Sequence, residues 1–476
     1  MSKSLGKNIA YSMLSQMVSL MVPLIVAPYT ARVLNAELLG SYSYALANSS
    51  YFVLIECMGL PLYGQLKISA IRDDMEERST VFWEITCLKL LFMSACLVLY
   101  LPIIVLSPNT MARHLSLVMV LNIVANGIDT TWFLNGLEEF KLTATRNIFV
   151  RGINLILILL LVKQENDIYI YAWIVQGATL LAFIAVLPQA LKRVKRVCFR
   201  CMNIKRHIKP AGIYFIPGLV TTIFSSADKT MIGIMSNSYE VGVYEQASKV
   251  SHICIDTISA IGNVLMPRAA YLYHNGKDKK EADQMLYNSL AVVLMLSLPM
   301  AFGASVIAGE FIPIFFGPGY EKSISLLIAL SATILFTPLN SLCGQQCLIT
   351  RNKQKSYNIA ITVSALANIM LNSVLIPFLQ SIGAALASVA ACIVIMLMIN
   401  KMSEGLVSIK KMLHLCWKYI LASIGMFMAV KFSLVFMHGT LTGLILHILA
   451  GLCFYFVFLL LLRDKTLFKM LKVKRK

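Results

Sequence analysis

The sequence predicts an all-α polytopic membrane protein with about fourteen transmembrane helices, arranged as two six-helix lobes followed by two C-terminal helices. Over 476 residues the composition is 58% hydrophobic and only 14% charged, and the mean hydropathy is +0.74. A soluble core of this length would not use so much apolar surface. Apolar stretches of about 20 to 26 residues, enough to cross a bilayer, recur along the chain. The basic residues lie between them, so the net charge of +19 indicates membrane-flanking loops and no nucleic-acid partner.

Fourteen apolar stretches define the predicted spans. Their limits are 8–34, 38–64, 81–107, 112–137, 147–163, 167–191, 210–235, 240–266, 285–310, 323–349, 356–378, 381–402, 412–437 and 440–462. When alternate loops are assigned to the two faces, 33 of the 42 Lys and Arg lie in or beside the segments of one face, and three lie at the other. Because cytoplasmic loops carry the excess of Lys and Arg, both termini are predicted in the cytoplasm.

The chain divides into four predicted parts. Residues 192–209 follow six spans and precede six more, so they are predicted to form a basic cytoplasmic linker between an N-terminal lobe, 1–191, and a C-terminal lobe, 210–402. Residues 403–476 hold two extra helices and a basic cytoplasmic tail.

The two lobes share short motifs. Gly40-Ser41-Tyr42 opens the second span and Gly242-Val243-Tyr244 opens the eighth, while Asn135-Gly136 and Cys343-Gly344 close the fourth and the tenth. Two matches in the same order suggest a duplicated six-helix unit. Two units of equal orientation can rock about a central cavity.

The stretch FSSADKTMIG, residues 224–233, places an acid beside a base inside the seventh span. A charged side chain at the bilayer centre costs about 2.5 to 3.5 kcal/mol on insertion scales. Neighbours along a helix are rotated by roughly 100° and do not face each other. Asp228 and Lys229 therefore each need a partner on another helix or a charged substrate. The alternative is a structural ion pair that locks two helices together.

Polar side chains form single-face stripes on four of the predicted helices. They are Tyr44, Asn48 and Tyr51 on the second; Asn122, Asn126 and Asp129 on the fourth; Thr221, Ser225 and Asp228 on the seventh; and Glu245, Lys249, His252 and Asp256 on the eighth. Polar faces of spanning helices turn towards other helices or water. Each stripe alone also fits helix packing, whereas four stripes across both halves favour a hydrated, charged cavity.

The tenth and eleventh spans add further polar side chains. These are Thr337, Asn340, Asn358, Thr362 and Asn368. They suit a hydroxyl-rich cargo, and they equally suit ordinary interhelical hydrogen bonding.

Arg32 lies in the first span roughly where Lys229 lies in the second half. A guanidinium and an ammonium in opposing halves can jointly hold a phosphate or pyrophosphate. The alternative is that Arg32 only snorkels to the interface. The nearby aromatic residues can stack on sugar rings or form an interfacial belt. They are Tyr29, Tyr42, Tyr44 and Tyr51.

Several segments resemble those of Wzx-type polysaccharide-repeat flippases, members of the multidrug/oligosaccharidyl-lipid/polysaccharide exporter superfamily. They are PYTARVLNAELLGSYSY, GLPLYG with IRDDMEERS after the second span, LNGLEEFK, FSSADKTMIG and VGVYEQASKV. The resemblance implies a flippase that moves an undecaprenyl-pyrophosphate-linked oligosaccharide from the inner to the outer leaflet of the bacterial plasma membrane by alternating access. Such transport serves the biosynthesis of surface polysaccharide, whether O-antigen of lipopolysaccharide, capsule or exopolysaccharide.

The resemblance also implies site residues and partners. Cationic cavity residues carry over only to Arg32 and Lys229, with Lys249 as a looser candidate. Tyr44, Asn48 and Tyr51 are predicted to bind the substrate from their place on the polar stripe of the second span, not from the resemblance. The two C-terminal helices correspond to those that form an apolar groove in related lipid-precursor flippases. The implied partners are the lipid-linked oligosaccharide, membrane lipid, and the polymerase and chain-length proteins of the same pathway.

No enzyme, metal or cofactor is predicted. The sequence has no phosphate-binding loop of the GxxxxGK[ST] type and no nucleophile signature. Most of the 11 cysteines lie in apolar spans, and Cys198 and Cys201 lack the second pair of a metal site. Transport is expected to be driven by an H⁺ or Na⁺ gradient, as antiport, or by the substrate gradient itself. The candidate ion-coupling acids are carboxylates on the polar stripes. They are Asp228, Asp129, Glu245 and Asp256.

Two other functions remain as alternatives. A drug/cation antiporter of the same superfamily would share the fold, but a cavity holding Arg32, Lys229 and Lys249 would repel a cationic cargo. A membrane oligosaccharide polymerase needs a sizeable external loop for its reaction site, whereas the predicted outer loops are short.

Overall fold

The computed structural model describes residues 2–107, 109–198, 202–274, 279–403, 406, 409–434, 439–464 and 466–468. Over these ranges the chain is helical and contains no strand, which confirms the predicted all-α class. Its α-helices, α1 to α15 in chain order, are Ser2–Cys57, Leu60–Ala70, Met75–Val105, Thr110–Ile128, Thr131–Gly136, Phe140–Leu161, Ile168–Leu191, Ile208–Met235, Ser238–His274, Lys279–Phe316, Lys322–Cys343, Gln354–Leu379, Ser381–Met402, Ile409–Ser433 and Leu441–Leu461.

The predicted count of fourteen spans is not confirmed. Among the described residues, 11 helical stretches are long and apolar enough to cross a membrane, or up to 12 if the bent pair Ile204–Ile216 and Gly218–Met235 is one span. The second predicted span and residues 21–34 of the first lie in one of these stretches, Met21–Ala70. The eighth predicted span, in α9, is not among them. The first half of α9 carries the charged residues Glu240, Glu245, Lys249 and Asp256, which lower the hydropathy of this segment.

The long helix α1 is kinked at Asn35, where φ is 53° and ψ is 173°. Asparagine tolerates positive φ better than most residues, and its Oδ1 accepts a hydrogen bond from Leu38 N at 3.1 Å, as an N-cap does. A straight helix of these 56 residues would be about 84 Å long, against a hydrocarbon core of about 30 Å. The kink therefore separates two segments that correspond to the predicted spans 8–34 and 38–64.

The fourth predicted span is interrupted at Asp129. This residue ends α4 with φ −60° and ψ 120°, outside the helical region. Its carboxylate accepts hydrogen bonds from Thr131 N and Thr131 Oγ1, both at 2.8 Å. Asp129 therefore stabilises the first turn of the short helix α5.

The chain forms two compact units. The first comprises Met1–Gly233 and Asn237–Gly242, and the second comprises Ile234–Ser236 and Val243–Lys476. The predicted division at 1–191, 192–209, 210–402 and 403–476 stays a prediction.

In the first unit, Glu84 on α3 binds the end of the segment predicted to be a linker. Its side chain is 1% exposed. Its oxygens accept from Asn203 N at 2.7 Å and from Arg206 Nε at 2.9 Å, and they lie 2.8 Å from His207 Nε2. The other ring nitrogen of His207 is 2.9 Å from the Tyr63 hydroxyl. Several polar partners around one buried carboxylate offset its removal from water. Residues 203–207 are therefore docked onto the first unit.

In the second unit, the two C-terminal helices α14 and α15 pack against α10. Glu310 Oε2 on α10 is 2.9 Å from His447 Nδ1 on α15, and both side chains are buried. The Tyr455 hydroxyl on α15 also donates to Met295 O on α10 at 2.7 Å. These polar contacts fix α15 on the unit that precedes it in the chain.

The polar residues of the tenth and eleventh predicted spans join helices of the second unit. Asn340 Nδ2 on α11 donates to Cys392 O on α13 at 2.8 Å. Asn368 on α12 is buried and donates to Ser388 Oγ on α13 at 3.4 Å. For these two asparagines the structure supports the interhelical alternative.

Candidate functional site

The predicted sugar-binding stripe of α1 packs against the FSSADKTMIG stretch of α8, within the first unit. A Cβ added to Gly233 would lie 2.2 Å from Tyr44 Cδ2, so the Tyr44 ring occupies the space beside that glycine. Further along, the Tyr51 hydroxyl donates to Thr230 Oγ1 at 3.3 Å, and Thr230 Oγ1 donates to Asn48 Oδ1 at 3.3 Å. The structure thus brings together two polar segments that are far apart in the sequence.

The acid and the base of α8 lie beside this contact. Asp228 is 3% exposed, and Lys229 is half-buried. Each of the two side chains takes part in interactions with other residues, and Asp228 acts electrostatically on Tyr51. A buried acid beside a half-buried base on a hydroxyl-rich face is a suitable place for polar cargo or for ion coupling.

Arg32 is exposed on α1, just before the kink at Asn35. The nearby Tyr29 hydroxyl donates to Val162 O at 2.6 Å, and Gln176 Nε2 donates to the Tyr42 hydroxyl at 2.9 Å. These two tyrosines are therefore engaged in helix packing. The joint binding of a pyrophosphate by Arg32 and Lys229 stays a prediction.

On α9, in the second unit, a predicted substrate cation is paired with a predicted coupling acid. Lys249 Nζ lies 3.5 Å from Glu245 Oε1, one helical turn away, and their side chains are 38% and 15% exposed. His252 and Asp256 lie further along the helix and are exposed. The neighbouring carboxylate offsets part of the attraction of Lys249 for an anion.

The fourth-helix stripe connects α4 to α1 in the first unit. Asn122 Nδ2 donates to Ser49 Oγ at 3.0 Å, and Asn126 Nδ2 donates to Asn122 O at 2.9 Å. Asp129, the third member, accepts hydrogen bonds through its carboxylate from Thr131 at the start of α5. In the structure all three side chains make local or interhelical hydrogen bonds.

Glu56 and Lys89 are buried charged residues of the first unit that were not among the predicted site residues. Glu56 on α1 is 0% exposed and Lys89 on α3 is 1% exposed. Lys89 Nζ donates to Asp129 O at 2.7 Å, and Lys89 also acts electrostatically on Glu56. Glu56 lies off the helix face that carries Tyr44, Asn48 and Tyr51, so it belongs to none of the predicted polar stripes. The signal that marks it is simply an acid inside an apolar span.

Within the parts of the chain that the structure describes, no group of three or more His, Cys, Asp or Glu is arranged to hold a metal ion. The side chains that meet between α1 and α8 offer hydroxyl, amide, carboxylate and ammonium groups.

Residues 5–273 match the model of a family described as polysaccharide biosynthesis protein. The chain is 23% identical over 405 residues to the putative O-antigen transporter of Escherichia coli (strain K12), an alignment that covers 83% of this chain and 96% of that protein. It is 26% identical over 165 residues to the probable low-salt glycan biosynthesis flippase of Haloferax volcanii, covering 35% of this chain and 34% of that protein.

The fold is similar to those of two solved transporters. The lipid II flippase MurJ in an inward closed conformation superposes with a TM-score of 0.75 at 17% identity, covering 96% of this chain and 99% of that one. An outward-facing multidrug resistance MATE family transporter of the MOP superfamily gives a TM-score of 0.52 at 14% identity, covering 85% and 96%. At these identities the likeness concerns the fold alone, and it supports the predicted all-α polytopic fold.

Proposed function

This chain belongs to the polysaccharide biosynthesis protein family, and from that premise we propose that it is a flippase for lipid-linked oligosaccharides. Its cargo is an undecaprenyl-pyrophosphate-linked repeat unit, which it moves from the inner to the outer leaflet of the bacterial plasma membrane. The repeat unit then enters surface polysaccharide biosynthesis. The proposal includes both termini in the cytoplasm and no chemical conversion of the cargo.

The observation that carries the proposal is the contact between α1 and α8 in the first unit. Tyr44, Asn48 and Tyr51 meet the segment that contains Asp228 and Lys229. Hydroxyl, amide and aromatic groups suit sugar rings, and an ammonium suits a pyrophosphate. A polar face of this kind is costly in a lipid-spanning protein unless it serves a hydrophilic cargo or an ion.

The names of the related proteins add support. An O-antigen transporter and a glycan biosynthesis flippase are among the relatives, and a lipid II flippase has a similar fold. The drug/cation antiporter remains the second candidate because a MATE transporter has a similar fold. Its TM-score is lower than that of the lipid II flippase. The exposed Arg32 and the half-buried Lys229 disfavour a cationic drug.

The test is removal of the gene from its host. The expected result is accumulation of lipid-linked repeat units on the cytoplasmic side and loss of the exported polymer, with both restored by the wild-type chain. The matched control is a chain carrying Gly177→Ala, a position where an added Cβ meets nothing within 4 Å. Normal polymer export without accumulation would contradict the flippase function.

A further inference from the structure

Glu84, Glu310 and Glu56 have buried side chains, and they differ in the hydrogen-bond donors around their oxygens. Glu84 is 1% exposed and has Asn203, Arg206 and His207 around its oxygens. Glu310 is 8% exposed and is paired with His447. Glu56 is 0% exposed, and neither of its oxygens has a hydrogen-bond partner among the described residues.

An ionised carboxylate is costly to bury unless donors surround it. The donors around Glu84 and Glu310 provide that compensation, whereas no donor among the described residues contacts the oxygens of Glu56. A Cβ added to Gly127 on α4 would lie 2.9 Å from Glu56 Oε1 and 2.3 Å from Met93 Sδ. The oxygen thus lies against the backbone of α4, where a neutral carboxylic acid is cheaper than an anion.

One positive charge, on Lys89, favours the ionised form of Glu56; we call the charged and titratable residues around Glu56 the Glu56 cluster. Lys89 is buried, hydrogen-bonded to Asp129 O at 2.7 Å, and acts electrostatically on Glu56. A nearby cation favours the ionised form of a carboxyl group, whereas burial favours the neutral form. Glu56 is subject to both effects at once, which is the condition for a group that exchanges a proton.

The other titratable and charged groups of the cluster are few. They are Cys57 on α1, Cys96 on α3, Asp129 after α4 and, acting on Asp129, Arg146 on α6. The Asp129 carboxylate is committed to Thr131, and the two thiols are weak acids. Glu56 is therefore the carboxyl of this cluster best placed to change its protonation.

We propose that Glu56 is a proton-binding site of the first unit, with Lys89 as the charge that restores its ionised form. One proton from water bonds to a carboxylate oxygen of Glu56, the charge of the cluster rises by one, and the same proton later returns to water. The bond between Lys89 and Asp129 O lies at the break between α4 and α5. Protonation of Glu56 therefore removes a negative charge that attracts Lys89, the residue that is hydrogen-bonded at this break.

The proton site itself is tested without any transport measurement. The purified full-length chain, in vesicles of phosphatidylethanolamine and phosphatidylglycerol, is followed by infrared spectroscopy in the region of the protonated carboxyl C=O stretch as the pH is changed. We expect a titrating band in the wild type, its loss in Glu56→Gln, and its retention in the matched control Glu310→Gln. Absence of the band from the wild type, or its persistence in Glu56→Gln, would overturn the proposal.

A second variant keeps the test decisive if Glu56→Gln does not fold. Lys89→Met removes the cation but keeps an unbranched side chain, so the protonated band should persist to higher pH. An unchanged titration in Lys89→Met would contradict the role assigned to Lys89 and with it the exchange of the proton.

The link to transport rests on the proposed flippase function and is measured separately in the same vesicles with lipid-linked oligosaccharide extracted from the host. For one proton per cycle, a pH difference of one unit should change the transbilayer ratio of this probe by up to about tenfold in the wild type. Glu56→Gln should show no response to the gradient. If the wild type moves no probe while the infrared band titrates, the flippase function fails and the proton site stands. If the wild type moves the probe but no band titrates, the proton site fails and the flippase function stands.

Discussion

Gly40 on α1 and Gly242 on α9 pack backbone against backbone within the first unit. A Cβ on Gly40 would lie 2.7 Å from Gly242 N and 1.8 Å from Ser238 O, and a Cβ on Gly242 would lie 1.9 Å from Ala36 O. Neither position has room for a side chain. These glycines are the first residues of the two Gly-x-Tyr motifs that suggested an internal duplication.

We expect Gly40→Ala to destabilise the protein by about 1–3 kcal/mol, as overpacking of a tight contact does. The atoms that an added methyl group meets are backbone atoms, which cannot rotate away. The measurement is thermal unfolding of the detergent-solubilised chain. Gly177→Ala on α7 is the matched control, since its added methyl group meets nothing within 4 Å. Equal stability of the two variants would show that the close approach is not needed.

Glu84→Gln should destabilise the first unit by about 3 kcal/mol, the lower end for a broken buried ion pair. The value is at the lower end because the Arg206 side chain is 44% exposed and can be hydrated. Chemical unfolding in detergent measures the change. Glu76→Gln is the control, because Glu76 is 86% exposed where it pairs with Lys195, and its loss should cost less than about 1 kcal/mol. Similar losses in both variants would contradict the role given to Glu84.

Asn35→Ala should cost about 1 kcal/mol for the lost cap, with a further cost for an alanine at φ 53°. Asn35→Gly loses the same cap but adopts positive φ without a steric penalty. The glycine variant should therefore be the more stable of the two in thermal unfolding. If alanine is tolerated as well as glycine, the kink in α1 does not depend on this backbone conformation.

Lys229→Ala and Arg32→Ala should each reduce flipping while the chain still inserts into the membrane, because each removes a cation without leaving a new buried charge. Lys229→Arg should be milder, since the positive charge is kept. Restoration of exported polymer in a deletion host gives the readout, and membrane fractionation checks insertion. Full restoration by both alanine variants would make these residues structural.

A reporter that is active only in the cytoplasm should be active when fused after Lys476. The same reporter inserted after Lys163, in a loop assigned to the opposite face, should be inactive. The basis is the distribution of Lys and Arg, 33 against three. The reverse pattern of activity would refute the proposed orientation.

The fold class could be predicted from the sequence because hydropathy is a local property that needs no knowledge of contacts. The count of spans was less predictable, since α9 carries four charges in its first half and α1 continues through Asn35 as a kinked helix. The stripe of Tyr44, Asn48 and Tyr51 was recognised from its spacing, but its contact with Thr230 and Gly233 required the folded chain.

The partners of the buried charged residues were the feature that the sequence predicted least. Glu84 is satisfied by residues more than a hundred positions later in the chain, and Glu56 shares its cluster with Lys89 on another helix. Sequence spacing indicates which side chains share a helix face, but it does not reveal which other helix that face will meet. The distinction between a satisfied acid and one without a partner therefore came only from the structure.

The docking of residues 203–207 on Glu84 suggests how the polypeptide would behave if it were made in two pieces. A chain broken after Cys198 would leave a second piece that begins with the residues bound to Glu84 and continues through α8, which belongs to the first unit as far as Gly233. That piece would carry its own means of attachment to the first. Two separately expressed polypeptides should consequently reassemble and copurify, so this loop is a natural place to divide the protein for split-chain complementation.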